Sequence, residues 1–386
     1  MKDYREIFEC IDSNYQEYFS VWEDVCNIES PTNFKEGVDA VGRYFAELAI
    51  KRGWQVETFN QEVSGNVICI TMNPEIKAKP ITLSGHIDTV HAVGSFGSPA
   101  VKYDQEKIYG PGVLDCKGGI VAAFCAMDVL NKFGYSSHPI RLLLQTDEEN
   151  GSKLSGKATI NYICDKASDS LAFLNLEGHT RGEACLQRKG IITFLFTITG
   201  VAGHAARCAS EGANAVVEAA HKIVEIDKIK DNDGITCCCS VVSGGETVNT
   251  IPDKCEFKVN VRYATAEQRS WICDFMQNIA DKVYVEGTKT TVSTLSTRMA
   301  MELCEKNIQL LEKVNKCFEV CDLPTLTVAK RVGGSDAAEV TTYGIPCIDS
   351  LGTTGGNIHT LKEFAYINSL GESAKRIVAV ALNITE

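Results

Sequence analysis

The sequence predicts an α/β protein with a mostly parallel sheet, into which a smaller α+β domain is inserted. One observation is length: the chain has 386 residues, and a single hydrophobic core seldom grows past roughly 250–300 residues. The second and third observations are the orders of predicted strands and helices, which differ before and after Gln187. With 44% hydrophobic and 23% charged residues, the composition is that of a globular protein and excludes a disordered or collagen-like chain.

Before Gln187, short apolar runs alternate with helical patterns. A first helix is predicted where apolar residues recur every three or four positions from Ile7 to Trp22. Continuous apolar strands between helices are typical of a mostly parallel sheet covered on both faces. The other predicted helices are 37–52, 118–133 and 153–165, and the predicted strands are 66–72, 81–84, 140–145 and 171–176.

After Gln187 the order changes to βαββαβ, which predicts a ferredoxin-like domain with helices on one face of an antiparallel sheet. Its strands are predicted at 191–199, 236–242, 256–262 and 290–295, and its helices at 213–229 and 267–283. The α/β pattern then returns with helices at 304–320, 336–343 and 367–382 and a strand at 346–350. We therefore expect one domain formed by 1–186 and 299–386, and an inserted domain at 187–298.

Charge and cysteine content limit the class of partner and the compartment. The formal net charge of −12 argues against a nucleic-acid partner, because phosphate binding requires a basic surface. The longest apolar runs, at 120–127 and 191–198, are far shorter than the ~20 residues of a membrane span. The chain has 17 cysteines, and residues 1–12 contain no apolar signal region. We expect a cytoplasmic protein whose thiols are mostly small buried hydrophobes.

Acidic and histidine residues cluster at the ends of predicted strands, where open α/β sheets place their ligands. A histidine two residues before an aspartate suits a metal ligand with its orienting carboxylate. Three adjacent carboxylates repel one another, and a bound cation offsets that repulsion. The clusters are His86 with Asp88, Asp115 within GPGVLDCKGG at 110–119, Glu148 and Glu149 within TDEENGS at 146–152, Glu177, and His359 within GTTGGNIHT at 352–360.

Two histidines and several carboxylates, with no coherent cysteine set, are the ligands of Zn²⁺ or a similar divalent cation. A single bridging carboxylate indicates a pair of cations. Structural alternatives remain open, since Asp115 can be a helix N-cap and residues 146–151 a solvated turn. The nucleophile motif GxSxG, the dinucleotide motif GxGxxG and the Walker motif are absent from the sequence. A cysteine nucleophile is not excluded, although Asp115 raises the pKa of a thiol at Cys116.

The chain resembles the two-zinc amidohydrolases that include glutamate carboxypeptidase, acetylornithine deacetylase, succinyl-diaminopimelate desuccinylase and aminoacylase. Six family patterns occur in order, at 86–90, 110–119, 146–152, 200–205, 249–252 and 333–337. The resemblance runs from about Tyr15 to the C-terminus, and residues 249–265 are most similar to the glutamate carboxypeptidase branch. It implies a zinc-exopeptidase-like outer domain and an inserted lid and dimerisation domain, hence a homodimer.

The resemblance also implies a role for each motif residue. Asp115 is expected to bridge two Zn²⁺ ions, with Co²⁺ or Mn²⁺ as alternatives, and Glu148 to act as general base and then acid. The residues expected to complete the metal shells are His86 and Glu177 at one ion and Glu149 and His359 at the other, with Asp88 orienting His86. His204 is expected to reach an active site across the dimer, and Asn249, Arg262, Gly333 and Arg331 to bind a substrate carboxylate.

The function implied is hydrolysis of an amide bond next to a free carboxylate in a peptide or small molecule, with neither nucleic acid nor membrane as partner. The main alternative is a deacylase of N-acyl amino acids, of the acetylornithine deacetylase or desuccinylase kind. A non-catalytic relative with a binding role and a cysteine-based redox protein are more remote alternatives. A structural ion pair is the alternative role of Arg262.

Overall fold

The computed structural model describes residues 3–230 and 234–385, and the chain divides into two compact units. Unit 1 consists of Met1–Leu186, Leu303–Lys330 and Glu339–Glu386, and unit 2 of Gln187–Glu302 and Arg331–Ala338. Among the described helices, none combines the length and apolar character that crossing a membrane requires.

The described residues form α-helices and strands in an order that follows the sequence patterns. The helices are α1 Tyr4–Ser13, α2 Tyr15–Asn27, α3 Lys35–Lys51, α4 Lys117–Lys132, α5 Ala158–Ala167, α6 Ala215–Asp227, α7 Ala266–Asp281, α8 Glu305–Val320, α9 Ala337–Thr342 and α10 Ser369–Asn383. The strands are β1 Gln55–Phe59, β2 Val67–Met72, β3 Ile81–His86, β4 Lys102–Tyr103, β5 Lys107–Tyr109, β6 Ile140–Gln145, β7 Ala172–Asn175, β8 Glu183–Arg188, β9 Gly190–Thr199, β10 Gly203–His204, β11 Thr236–Gly244, β12 Thr250–Ile251, β13 Lys254–Tyr263, β14 Lys289–Arg298, β15 Thr327–Arg331, β16 Cys347–Ile348, β17 Gly355–Gly356 and β18 Phe364–Tyr366.

The main sheet of unit 1 has the order β1-β2-β6-β3-β7-β16. Strands β6, β3, β7 and β16 pair in parallel, while β1 and β2 add an antiparallel edge. The predicted mostly parallel sheet is therefore confirmed. In its register His86 lies opposite Gln145, and Ser84 lies opposite Asn175. Because parallel strands end at the same edge of a sheet, the loops after β3, β6 and β7 meet there.

Helix α4 fixes the loop that precedes it against this sheet edge. The helix is buried along most of its length and packs against α2, α10 and β3. Its first turn contains Gly119, where an added Cβ would lie 2.2 Å from the carbonyl oxygen of Leu176. Only glycine allows this close approach, which places Asp115 beside the end of β7.

Unit 2 has a four-stranded antiparallel sheet of order β11-β13-β9-β14, with α6 and α7 packed against it. Phe196 and Phe257 stack in its core with ring centroids 4.6 Å apart. Between the helices, the ammonium of Lys222 is buried, lies 2.9 Å from Glu218, and donates to the carbonyl of Ile279 at 2.6 Å. The predicted ferredoxin-like order is confirmed.

Three sequence predictions differ from the structure. The first predicted helix is two helices, α1 and α2, which meet at Asn14. Helix α5 begins at Ala158 rather than at residue 153, because Lys157 adopts a left-handed conformation with φ of 74°. Residues 331–338, predicted in the outer domain, belong to unit 2, where Arg188 contacts the carbonyls of Gly333 and Gly334.

Candidate metal centre

His86 is the last residue of β3, and its two ring nitrogens face different carboxyl groups. Its Nε2 lies 3.1 Å from Oδ1 of Asp115 and 3.7 Å from Oε1 of Glu177. Its Nδ1 lies 3.0 Å from the carbonyl oxygen of Asp88 and 3.4 Å from that residue's Oδ1. The imidazole is almost completely buried, so this environment fixes its orientation.

The second histidine reaches the same aspartate from the other side. Nε2 of His359 lies 3.1 Å from Oδ2 of Asp115 and 3.1 Å from Oε2 of Glu149. Each carboxylate oxygen of Asp115 therefore faces a different histidine. That is the arrangement of a carboxylate shared between two neighbouring ligand sets.

Two overlapping groups of side chains can each hold a cation. One is His86, Asp115 and Glu149, and the other is His86, Glu148 and Glu177; within each group the donor atoms lie within 4.8 Å of one another. Mixed imidazole and carboxylate donors are the ligands of zinc and related divalent cations. The donor chemistry at this sheet edge therefore fits a divalent cation, and because both groups use His86 they are alternatives rather than two simultaneous sites.

The electrostatics of the cluster indicate a need for positive charge. Burial, followed by the negative charge of Asp115, raises the pKa of Glu149 to about 8. Hydrogen bonds with Asp115 and Glu149 raise the pKa of His359 to about 10. Burial opposes ionisation of Asp115, but the hydrogen bonds from His359 and His86 outweigh it and lower its pKa. Crowded carboxylates take up protons when no cation compensates their charge.

Asp88 connects two of the ligand loops. Its Oδ1 accepts a hydrogen bond from the backbone N–H of Glu148, and its Oδ2 accepts one from that of Glu149, each at 3.2 Å. The hydroxyl of Thr32 donates to Oδ2 at 2.7 Å. Asp88 thus holds both His86 and the Glu148–Glu149 peptide. Sequence analysis missed Thr32, since nothing in a lone threonine 56 residues away marks this contact.

The structural alternatives for the acidic residues do not fit this geometry. The residue before α4 is Cys116, with no side-chain cap, and the Asp115 carboxylate faces histidines rather than the helix. Asp147 is fully buried, and only 6% of Glu148 is exposed, so residues 146–151 are not a solvated turn. Burial raises the pKa of Cys116 to about 12, which disfavours the thiolate that a cysteine nucleophile needs.

The other predicted site residues, His204, Asn249, Arg262, Arg331 and Gly333, lie in unit 2. His204 is exposed, and its Nδ1 accepts a hydrogen bond from the backbone N–H of Ala206 at 3.2 Å. The carbonyl of Asn249, also exposed, accepts one from the N–H of Ala205 at 3.0 Å. The structure thus brings the His204 and Asn249 segments together.

The guanidinium of Arg262 is oriented by neutral oxygens. Its Nη1 donates to the carbonyl of Val332 at 3.2 Å, and its Nε donates to the side-chain oxygen of Asn260 at 3.2 Å. Burial, followed by the positive charge of Arg298, lowers the pKa of Arg262. Sequence analysis missed Arg298, because only the pairing of β13 and β14 with β9, in which both arginines lie opposite Ile191, brings the two together.

Three further contacts to backbone carbonyls hold the segment that contains Arg331 and Gly333. Nη1 of Arg188 lies 3.4 Å from the carbonyl oxygens of Gly333 and Gly334. The carbonyl of Arg331 accepts a hydrogen bond from the N–H of Lys189 at 3.2 Å. Arginines from β8 and β13 thus contact residues 332–334.

Two overlapping segments of the chain match family models of peptidases. Residues 66–224 match peptidase family M28, and residues 186–288 match the peptidase dimerisation domain. Carboxypeptidase G2 of Pseudomonas sp. strain RS-16 is 28% identical over 357 residues, covering 90% of this chain and 84% of the relative. The probable succinyl-diaminopimelate desuccinylase of Staphylococcus aureus is 26% identical over 300 residues, covering 67% and 71%.

Solved structures share the fold over almost the entire chain. Aminopeptidase PepT of Bacillus cereus superposes with a TM-score of 0.80 at 19% identity, covering 97% of this chain and 99% of that one. The YxeP protein of Bacillus subtilis, described as a dinuclear metal-binding peptidase from the M20 family, gives 0.71 at 14% identity, covering 96% and 98%.

Fold, ligand cluster and relatives define a metal-dependent hydrolase of the metallopeptidase class. More closely, the chain is similar over most of its length to carboxypeptidase G2, over about two thirds of its length to a probable succinyl-diaminopimelate desuccinylase, and at residues 186–288 to the peptidase dimerisation domain. The resemblance inferred from the six motifs is confirmed.

Proposed function

We propose that this enzyme is a zinc-dependent hydrolase that cleaves an amide bond next to a free carboxylate, as a glutamate carboxypeptidase does. The observation that carries the proposal is the position of Asp115, whose two oxygens each lie 3.1 Å from a different histidine. Similarity to carboxypeptidase G2 over most of the chain supports the substrate class.

The ligand set divides into two halves around Asp115. In this assignment His86 and Glu177 would hold one Zn²⁺, Glu149 and His359 would hold the other, and Asp115 would bridge them. Co²⁺ and Mn²⁺ suit the same donors. When bound, a metal pair of this kind lowers the pKa of a water molecule and polarises a carbonyl oxygen.

Glu148 is assigned the proton transfers. It belongs to the donor group with His86 and Glu177, and Asp88 fixes its backbone. In this role the Glu148 carboxylate takes a proton from the attacking water and delivers it to the departing amine.

Substrate recognition is assigned to unit 2. Arg262 and Arg298 place two positive charges close together, and a substrate carboxylate would relieve their repulsion and accept a forked hydrogen bond. Asn249, Gly333 and Arg331 are assigned to the same carboxylate. His204 is assigned to the substrate oxyanion of a partner subunit, and the match to a peptidase dimerisation domain supports a homodimer formed through unit 2.

A deacylase of N-acyl amino acids is the second candidate, supported by the desuccinylase relatives. Both activities use the same metal centre and differ in the group on the acyl side. We also propose a cytoplasmic location, because all 17 cysteines are free thiols, as is typical of a reducing compartment.

The test is amino-acid release by Zn²⁺-loaded enzyme from dipeptides, acyl-glutamates and N-acetyl or N-succinyl amino acids. Release concentrated on C-terminal glutamate supports the carboxypeptidase, and release only from small-acyl substrates supports the deacylase. Glu148→Gln should keep both metals and lose about 10²–10⁴-fold in kcat. Asn150→Asp, an exposed change in the same loop, should keep activity. Near-normal turnover by Glu148→Gln contradicts the assigned proton transfers, and silence across the panel contradicts the substrate class.

A further inference from the structure

The carboxylate of Glu363 contacts the loop that carries Asp115. Its Oε1 accepts hydrogen bonds from the backbone N–H of Leu114 at 2.9 Å and of Asp115 at 3.1 Å. Its Oε2 accepts one from the N–H of Gly112 at 3.3 Å. Only 2% of Glu363 is exposed, so one buried carboxylate accepts from three N–H groups of a four-residue segment.

The backbone of Glu363 belongs to the loop that carries His359. Strands β17 and β18 pair so that Gly356 lies opposite Phe364, and residues 357–363 close the hairpin between them. We call this loop the His359 hairpin loop. The carbonyl of Glu363 also accepts a hydrogen bond from the N–H of Gly110 at 3.4 Å, and β18 pairs with β5. The base of the hairpin loop is thus joined to residues 107–115 by backbone and side chain.

Packing alone does not hold the tip of this loop. The side chain of His359 is 55% exposed, and both Asn357 and His359 have positive φ, 60° and 63°. The imidazole nevertheless lies 3.1 Å from Asp115 and 3.1 Å from Glu149. The position of the imidazole relative to Asp115 therefore depends on the contacts that join the two loops, and Glu363 is the side chain that makes them.

We propose that Glu363 is a positioning residue for the metal centre, which holds Asp115 and His359 at the separation that a shared cation requires. The inference rests on the two-metal assignment above. Glu363 is not itself a ligand, because its carboxylate oxygens face backbone N–H groups and, at 3.7 Å, Nε2 of His91. It acts through the two loops, so its removal changes metal affinity before it changes any contact with substrate.

The test measures metal binding rather than activity alone. Metal-free enzyme is titrated with Zn²⁺ against a chromophoric chelator, and with Co²⁺ while its visible absorption is recorded. Glu363→Ala should weaken one of the two binding steps by about 10–100-fold and change the Co²⁺ spectrum. Glu363→Gln, which keeps one acceptor oxygen but turns an amide N–H toward a backbone N–H, should give an intermediate loss.

A matched control separates positioning from a general loss of stability. Glu218 in unit 2 is another buried carboxylate that accepts from two backbone N–H groups, those of Tyr284 at 2.9 Å and Val285 at 2.7 Å. Glu218→Gln should lower the unfolding temperature and leave both metal-binding steps unchanged.

The outcomes distinguish this proposal from the function it rests on. Wild-type zinc affinities and an unchanged Co²⁺ spectrum in both Glu363 variants overturn the positioning role, while wild-type enzyme that binds two metals and hydrolyses substrate keeps the proposed function. If Glu363→Ala fails to fold, the Glu363→Gln titration decides. If the wild-type enzyme binds no metal, both proposals fall together.

Discussion

Loading the metal-free enzyme with zinc at pH 7 should release protons from the ligands. A carboxylate or imidazole must be deprotonated before it binds a metal ion. In the metal-free site, burial and the charge of Asp115 raise the pKa of Glu149 to about 8. Hydrogen bonds with Asp115 and Glu149 raise the pKa of His359 to about 10. Both groups therefore carry a proton at neutral pH that zinc must displace.

The pKa values of Glu149 and His359 account for about two of the released protons. At pH 7 a group with a pKa of about 8 is about 90% protonated, and one with a pKa of about 10 is almost fully protonated, which gives about 1.9 protons. At pH 9 the first group is largely ionised and the sum falls to about one. Burial opposes protonation of His86, but neighbouring Cys116 and the hydrogen bonds with Asp115 and Asp88 outweigh it and raise the pKa of His86 well above its usual value. His86 therefore contributes about one further proton at pH 7, and ionisation of a water molecule in the site adds up to about one more.

Isothermal titration calorimetry in buffers of different ionisation enthalpy measures this number as the slope of observed enthalpy against buffer enthalpy. We expect about three to four protons at pH 7 and, because Glu149 is largely ionised at pH 9, about one fewer there. His359→Gln, which removes one of the three protonated groups, should lower the value at pH 7 by about one. A slope near zero at pH 7, or one that does not change with pH, refutes the charge argument.

Two further predictions concern unit 2. Arg262→Ala should raise KM for substrates with a free carboxylate and slow their turnover without changing the metal content. The exposed change Arg207→Ala should leave KM and turnover unchanged. Steady-state kinetics and metal analysis measure these effects, and an unchanged kcat/KM for Arg262→Ala would indicate a structural role. Phe196→Ala, which removes a fully buried ring stacked 4.6 Å from that of Phe257, should cost about 3–5 kcal/mol of unfolding free energy. The exposed change Val241→Ala should cost less than about 0.5 kcal/mol of unfolding free energy. Chemical denaturation measures both losses, and equal losses in the two variants would contradict the prediction.

The sequence predicted that most residues of the candidate metal cluster would lie together, because they follow strands whose apolar patterns are easy to recognise. His86 ends β3, Glu148 and Glu149 follow β6, and Glu177 follows β7, so the parallel register alone brings them to one edge. Asp115 and His359 needed the family resemblance as well, since they lie in glycine-rich loops. The two halves of the βαββαβ domain were predictable for the same reason, because strand and helix periodicities differ strongly there.

The residues that hold the ligands could not be predicted in this way. Glu363 contacts the backbone of Asp115 across 248 residues of sequence, and Thr32 contacts Asp88 across 56. Neither residue type marks such a contact, because in the sequence a buried glutamate that accepts from backbone N–H groups, or a buried threonine that donates to a carboxylate, looks like any surface residue. Helix α5 was predicted to start too early because a left-handed lysine, Lys157, gives no local signal.

The positions of the proposed metal ligands along the chain determine the order in which they are synthesised. His86, Asp115, Glu149 and Glu177 all precede unit 2, whereas His359 follows it. Unit 1 is also completed only by segments that follow the inserted domain, since α10 packs against α4 and β16 pairs with β7, and domains generally fold as units. A nascent or truncated chain that ends within the inserted domain therefore lacks both His359 and part of the core of unit 1, and we expect it to bind no pair of cations.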